Sequence, residues 1–223
     1  RKGDDDTRSQ WDLLKGLELS HDEFAQLRDH CAKIGIGFLS TGFDLDELRF
    51  LIDELHIPLV KVASGDLTFA PMLVEAGQSN LPVIVSTGMA VLDEIRQALK
   101  FIAFGYARAN GIVAADLKPT DAVLDQTYAL EAVRAIMLEK VTILHCTTQY
   151  PAEFEILNLK AIEVIAERFS LPVGYSDHSL GTLASVLAVG LSSAASNSKL
   201  TSQAPGFISA LAFSTARGMV SGR

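Results

Sequence analysis

The residues best equipped for chemistry in this chain sit just past short apolar runs. Thr41, Ser64, Ser86, Thr148 and Ser176 each follow such a run, and Gly42, Gly65 and Gly88 stand beside three of them. Hydroxyls donate hydrogen bonds, and glycine lets backbone N–H groups come close to a ligand. Such a set suits a phosphate or a carboxylate. Lys61 lies within the apolar run LVKVASG, three residues before Ser64. Burying an unpaired ammonium is costly, so Lys61 either serves an anion or snorkels to water. The nearby Ser64 and Gly65 favour the anion.

His178, in the segment YSDHS, is the candidate metal ligand. A lone histidine is as readily structural as metal-binding, and spacing alone leaves both readings open. His145 and Cys146 are adjacent, but neighbours on a strand point to opposite faces, so they do not form a nucleophile pair. Cys146 reads as a small buried hydrophobe. Tyr150, in TTQYP, either faces a substrate or packs on Pro151. His21, His30 and His56 read as solvated.

Elements that alternate between strand and helix must position these groups. A helix over 22–34 is predicted from a capping box at Ser20 and Glu23, an apolar stripe of Phe24, Leu27 and Cys31, and a stop at Gly35. Five strands are predicted, over 36–40, 59–63, 82–85, 142–145 and 172–175. Helices are predicted over 44–55, in a short segment with Pro71 in its first turn, and along Leu92, Ile95, Leu99 and Ile102. An insertion spans 105–140, with Thr120 as a possible cap and Val133, Ile136 and Met137 on one side. Nearly continuous apolar strands alternating with helices indicate a parallel sheet covered by helices. Polar residues gathered at strand ends favour a barrel, where those ends converge on one mouth, over an open sheet.

Composition narrows the classes. The 223 residues are 48% apolar and 21% charged, which reads as globular. A net charge of −8 argues against a nucleic-acid surface, and no apolar run is long enough for a membrane helix. The two cysteines, Cys31 and Cys146, read as reduced thiols of a cytoplasmic protein.

Five segments together, FLSTGFD, LVKVASGDL, PVIVSTGMA, LHCTTQYPAEFE and LPVGYSDHSLG, resemble the sialic-acid synthases in the order found in that family. The family includes the N-acetylneuraminate, legionaminic acid and pseudaminic acid synthases. The resemblance implies an α/β (β/α)8 TIM barrel, incomplete here with about five strand–helix units. Residues 1–191 would be a partial barrel domain and 192–223 a divergent tail. It also implies condensation of phosphoenolpyruvate with an N-acylated amino sugar such as N-acetylmannosamine, with a divalent metal, manganese or magnesium. Thr41, Lys61, Ser64, Ser86 and Ser176 would hold phosphoenolpyruvate, with Lys61 also catalytic by offsetting charge. Thr148 falls where some members carry asparagine, Tyr150 would contact the sugar, and His178 would be one of two metal histidines. A homodimer is implied for the full-length family, with neither nucleic acid nor membrane as partner.

Three departures stand against the resemblance. Gly42 replaces a usual proline and is expected to loosen its loop. Two opening strands, with a glutamate, a lysine and a glutamine, have no counterpart. After ASVLAVGL, a serine-rich stretch stands where the family has a strand ending in Glu and the second metal histidine, as a disrupted reading frame would produce. Two other functions fit the residues: a class I aldolase with Lys61 as Schiff-base lysine, and a non-catalytic fragment that binds substrate or assembles with other chains.

Overall fold

The computed structural model describes residues 18–195. They fall into two compact units divided between Leu39 and Ser40. The first contains helix α1 (His21–Ile34). Ser20 caps it, accepting from the Glu23 N–H while the Glu23 carboxylate accepts from the Ser20 N–H at 2.7 Å. Gly35 closes it in the left-handed conformation at φ 76°. Both cap signals were legible in the sequence. The strand expected over 36–40 is not formed, and Ile36 is 57% exposed. Apolar content does not make a strand without a ladder of hydrogen bonds, and Gly37 weakens the extended state further.

Among the described residues the second unit contains the other four expected strands: β1 (Val60–Val62), β2 (Val83–Ser86), β3 (Val141–Cys146) and β4 (Val173–Ser176). All pairs are parallel, and the spatial order is the sequence order. A doubly wound sheet reverses direction at a switch point. Here no reversal occurs, so right-handed crossovers place every connecting helix on the same face, as in a barrel wall. The described strands form this α/β wall and not a closed ring.

Before β1 runs helix α2 (Leu45–Arg49), capped by Asp44, which continues as a π-helical turn at Phe50–Glu54. Gly42 packs on it: a β-carbon there would lie 2.7 Å from the Leu48 backbone nitrogen. The glycine therefore tightens this loop instead of loosening it. Helix α3 (Ala70–Gln78), with Pro71 in its first turn, links β1 to β2 and packs on β1. Helix α4 (Leu92–Ala109) follows β2. The expected insertion is α4's last turn plus helices α5 (Asp121–Ala129) and α6 (Glu131–Lys140). Thr120 is the residue before α5, but its side chain caps nothing. Val133 and Met137 are fully buried. Helix α7 (Ala161–Phe169) joins β3 to β4 and packs on both, and helix α8 (Leu183–Ala195) packs on β4. Of the divergent tail expected over 192–223, residues 192–195 end helix α8, and the rest lies outside the described residues.

Register assigns the faces. Val60, Val62, Val83, Val85, Val141 and Ile143 alternate onto one face and are buried to 1% or less, which makes it the helix-covered side. Lys61, Ile84, Ser86, Thr142, Leu144, Cys146, Gly174 and Ser176 occupy the other face. That face carries Lys61 and the strand-end serines.

Candidate functional site

The polar face ends in loops whose backbone conformations bring the candidate residues together. Past β1, Ser64–Asp66 form one 3-10 turn, which turns the Ser64 hydroxyl toward the loop after β2. There the Gly88 N–H donates to Ser64 Oγ at 3.0 Å. Cys146, last residue of β3, places its Sγ 3.3 Å from the same oxygen. The Thr87 N–H and hydroxyl both donate to the Leu144 carbonyl at 3.0 Å, tying the β2 loop to β3. Ser86 shares the face with Lys61 and is buried at 4% exposure.

Lys61 lies half-buried on this face, and its Nζ donates to the Val62 carbonyl at 2.8 Å. Among the described residues it makes no ion pair. Burial lowers its pKa from 10.5 to about 8, against the pull of Cys146 and Asp66. Burial raises the Asp66 carboxyl, with Lys61 opposing, and one Asp66 oxygen is buried without a hydrogen-bond partner. Two of three ammonium protons of Lys61 thus remain available to a ligand.

His178 follows β4. Its Nδ1 faces the Thr147 carbonyl, and its Nε2 lies 3.4 Å from Ser176 Oγ. The Tyr150 ring stacks on it at 4.0 Å between centroids. The Ala152 N–H donates to the His178 carbonyl at 2.8 Å and holds the two loops side by side. Asp177 keeps this loop in shape. Its carboxylate accepts from the Ser179 N–H at 2.8 Å, the Ser179 hydroxyl at 2.7 Å and the Ser185 hydroxyl of α8 at 2.6 Å. Burial lowers the His178 pKa and Lys61 adds to the fall, with the Thr147 carbonyl and Asp177 opposing, so the ring is held toward its neutral form.

Lys61, Ser64, Thr148, Tyr150, Ser176 and His178 are therefore gathered at one end of the sheet, with Ser86 on the same face. Thr148 reaches the cluster through its methyl group, which would meet a β-carbon on Gly88 at 2.8 Å. Thr41, half-buried ahead of α2, makes no hydrogen bond to these groups. Cys146 is buried, as expected of a core thiol, but its sulfur belongs to this cluster. Its place at a strand end, like that of the hydroxyl residues, was the signal for that role. His145 points to the opposite face: its Nε2 lies 2.8 Å from the Leu157 carbonyl, and its ring stacks on Tyr175 at 5.8 Å.

A metal site with two histidines does not fit the described residues. Among them no group of three or more His, Cys, Asp or Glu side chains is placed to hold an ion. His178 offers one ring nitrogen, and the neighbouring Asp177 carboxylate is occupied by Ser179 and Ser185.

Comparison with known proteins decides the family, because a profile of the NeuB family matches residues 1–195. The chain belongs to the NeuB family. It is 38% identical over 181 residues to an uncharacterized protein of Methanocaldococcus jannaschii, covering 81% of this chain and 44% of that protein. It is 36% identical to the N,N'-diacetyllegionaminic acid synthase of Legionella pneumophila, covering 83% of this chain and 44% of the relative. Among solved structures, the N-acetylneuraminic acid synthetase of Leptospira borgpetersenii, crystallised with citrate, superposes with a TM-score of 0.61 at 28% identity. That match covers 81% of this chain and 52% of the other. The chain thus spans less than half the length of the curated relatives it matches. Among its described residues no helix is long and apolar enough to cross a membrane.

Proposed function

We propose that this NeuB-family chain binds phosphoenolpyruvate at the strand ends and takes part in its condensation with an N-acylated amino sugar to a nonulosonic acid. The observation that carries the reading is Lys61. It is a half-buried cation without an ion pair among the described residues, on the same face as Ser64, Ser86 and Ser176. Leaving such a cation unpaired costs stability, and an anionic ligand would offset that cost. Lys61 would offset the charge of the phosphate or carboxylate, and the hydroxyls of Ser64, Ser86 and Ser176 would donate to its oxygens. By the resemblance Thr41 would join them, and Thr148 would line the mouth. Tyr150, 62% exposed and stacked on His178, would contact the sugar.

In this reaction C3 of the enol attacks the aldehyde carbon of the open-chain sugar, and the aldehyde oxygen gains a proton. Water then adds to C2 and loses a proton, and phosphate departs to leave a 2-keto acid. Lys61 and the serines hold the reacting enol in place through these steps. The resemblance assigns a divalent cation to the family. The described residues supply one imidazole toward it, so no step here is routed through a metal.

The test is phosphate release from phosphoenolpyruvate with N-acetylmannosamine and manganese, together with calorimetry of phosphoenolpyruvate binding to the purified chain. Binding with release supports a synthase. Binding without release supports a fragment that holds substrate but lacks the remaining catalytic groups. No binding overturns the reading. The depressed pKa of Lys61 also favours a second reading, since a lysine near neutrality when deprotonated can form a Schiff base. Borohydride trapping with pyruvate separates the two, because the condensation forms no imine.

A further inference from the structure

Three strand-end loops meet at one point. Ser64 Oγ accepts from the Gly88 N–H at 3.0 Å and lies 3.3 Å from Cys146 Sγ. A β-carbon on Gly88 would stand 2.8 Å from Thr148 Cγ2, 3.0 Å from Ser64 Oγ and 3.1 Å from Cys146 Sγ. The loops after β1, β2 and β3 are thus interlocked around a glycine that leaves no room for a side chain. Gly88 and Cys146 have no part in the reaction as set out above.

A serine hydroxyl has one proton and two lone pairs. The Gly88 N–H takes one lone pair. The contact with Cys146 then runs in one of two directions. If the Ser64 hydroxyl donates to sulfur, its single proton is spent and Ser64 has nothing to give an anion. If the thiol donates to Ser64 Oγ, both lone pairs are engaged and the hydroxyl proton is left free of both partners. Phosphate and carboxylate oxygens only accept, so an anionic ligand selects the second arrangement. With Gly88 buried and Cys146 6% exposed, water has little access to replace either donor.

We propose that Gly88 and Cys146 are positioning residues that together occupy both acceptor sites of Ser64 and turn its O–H toward the anionic substrate. The proposal rests on the reading that Ser64 serves phosphoenolpyruvate. It explains why the backbone of one loop and the thiol of another converge on a single oxygen. A thiol suits the place because it is both a donor and a good core group.

The experiment uses the full chain with Cys146→Ala, Cys146→Ser and Cys146→Val. Calorimetry measures phosphoenolpyruvate binding, and nuclear magnetic resonance measures hydrogen exchange of the Gly88 amide. Loss of the donor in Cys146→Ala is expected to weaken binding by about fivefold to tenfold and to speed Gly88 exchange. Cys146→Val keeps an apolar side chain at the place of the sulfur without the donor and should do the same, which covers the case that alanine unfolds the loop. Cys146→Ser restores a donor and should return both readouts to within about twofold of the unaltered chain. A role in packing alone would let valine, not serine, preserve binding. Unchanged binding and exchange in both the alanine and valine variants overturn the proposal while leaving the proposed function standing. If the unaltered chain binds no phosphoenolpyruvate, that function falls, and Gly88 exchange alone decides whether Cys146 positions Ser64.

Discussion

The two sides of the sheet solve opposite problems. On the helix side, α3 and α4 cross so closely that backbone meets backbone. A β-carbon on Gly77 would lie 2.2 Å from the Ile102 carbonyl oxygen, and one on Gly105 would lie 2.3 Å from that of Val74. Beneath them the valines of β1 and β2 are buried to 1% or less. On the other side stand a lysine whose charge burial disfavours, a carboxylate oxygen with no hydrogen-bond partner, and a serine hydroxyl facing a thiol. One side is filled to the limit of packing density, and the other keeps polar groups in a state that is costly without a ligand. The contrast supports the proposed site on the polar side and puts the closest packing on the apolar one.

The largest expected effect breaks the apolar side. Gly105→Val puts branched carbon into the Val74 carbonyl and the α3 backbone, which no rotamer relieves. A loss of about 3–5 kcal/mol is expected in denaturant unfolding, enough to leave the chain largely unfolded near 37 °C. A loss below about 1 kcal/mol would mean that α3 and α4 can separate, and that the close crossing is not what holds this side together.

Lys61→Met sharpens the same comparison from the polar side, with the opposite sign for stability. It removes a desolvated cation and keeps the apolar stem, so unfolding should be unchanged or shifted to higher denaturant. Phosphoenolpyruvate binding should fall at least tenfold, since a charge-assisted contact is worth about 1.5–3 kcal/mol. The unaltered chain should show the same opposition with pH. The folded pKa near 8 lies below the ordinary 10.5, so between these values the unfolded chain carries more of the proton. Stability from Lys61 therefore rises as pH climbs through that window, while binding weakens as the ammonium is lost. Binding that strengthens from pH 7.5 to 9.5 would remove Lys61 from the anion site.

The difference between the two sides also sets what the sequence revealed. Strand-end hydroxyls, Lys61 in an apolar run and the capping box at Ser20 were legible because each is a local pattern with a physical reason. The missing strand at 36–40 was not, because pairing is a property of two segments and the apolar pattern describes one. Gly42 was misread for a related reason: its flexibility is visible in sequence, whereas the Leu48 backbone beside it is not. Cys146 looked like core by residue type, and its burial agrees. Only the β3 register, which puts it opposite Ser176 and beside Ser64, showed that a buried thiol can also belong to the site. His178 was found as a residue, but the company it keeps, Tyr150 across its face and Thr147 at its Nδ1, comes from the loop after β3, a whole helix away in sequence.

The smallest expected effect lies where the two sides share an element. Tyr106 of α4 is fully buried, and its hydroxyl donates to the Leu81 carbonyl at 2.6 Å, fixing the start of β2. Burial pushes its phenol pKa well above the ordinary value, so it acts as a neutral donor throughout the accessible pH range. Tyr106→Phe keeps the ring and its packing and removes one hydrogen bond, leaving the carbonyl short of a partner. A loss of about 1 kcal/mol follows, or roughly 2–4 °C in Tm for a chain of this size. Ser86 ends the same strand, five residues beyond Leu81, and Gly88 lies in the loop after it, so their geometry should not move. Phosphoenolpyruvate binding should therefore stay within about twofold of the unaltered chain, a difference too small to matter beside the tenfold expected at Lys61. A tenfold loss of binding in Tyr106→Phe would mean that β2 transmits strain along its length. The packed side would then set the geometry of the polar one rather than merely support it.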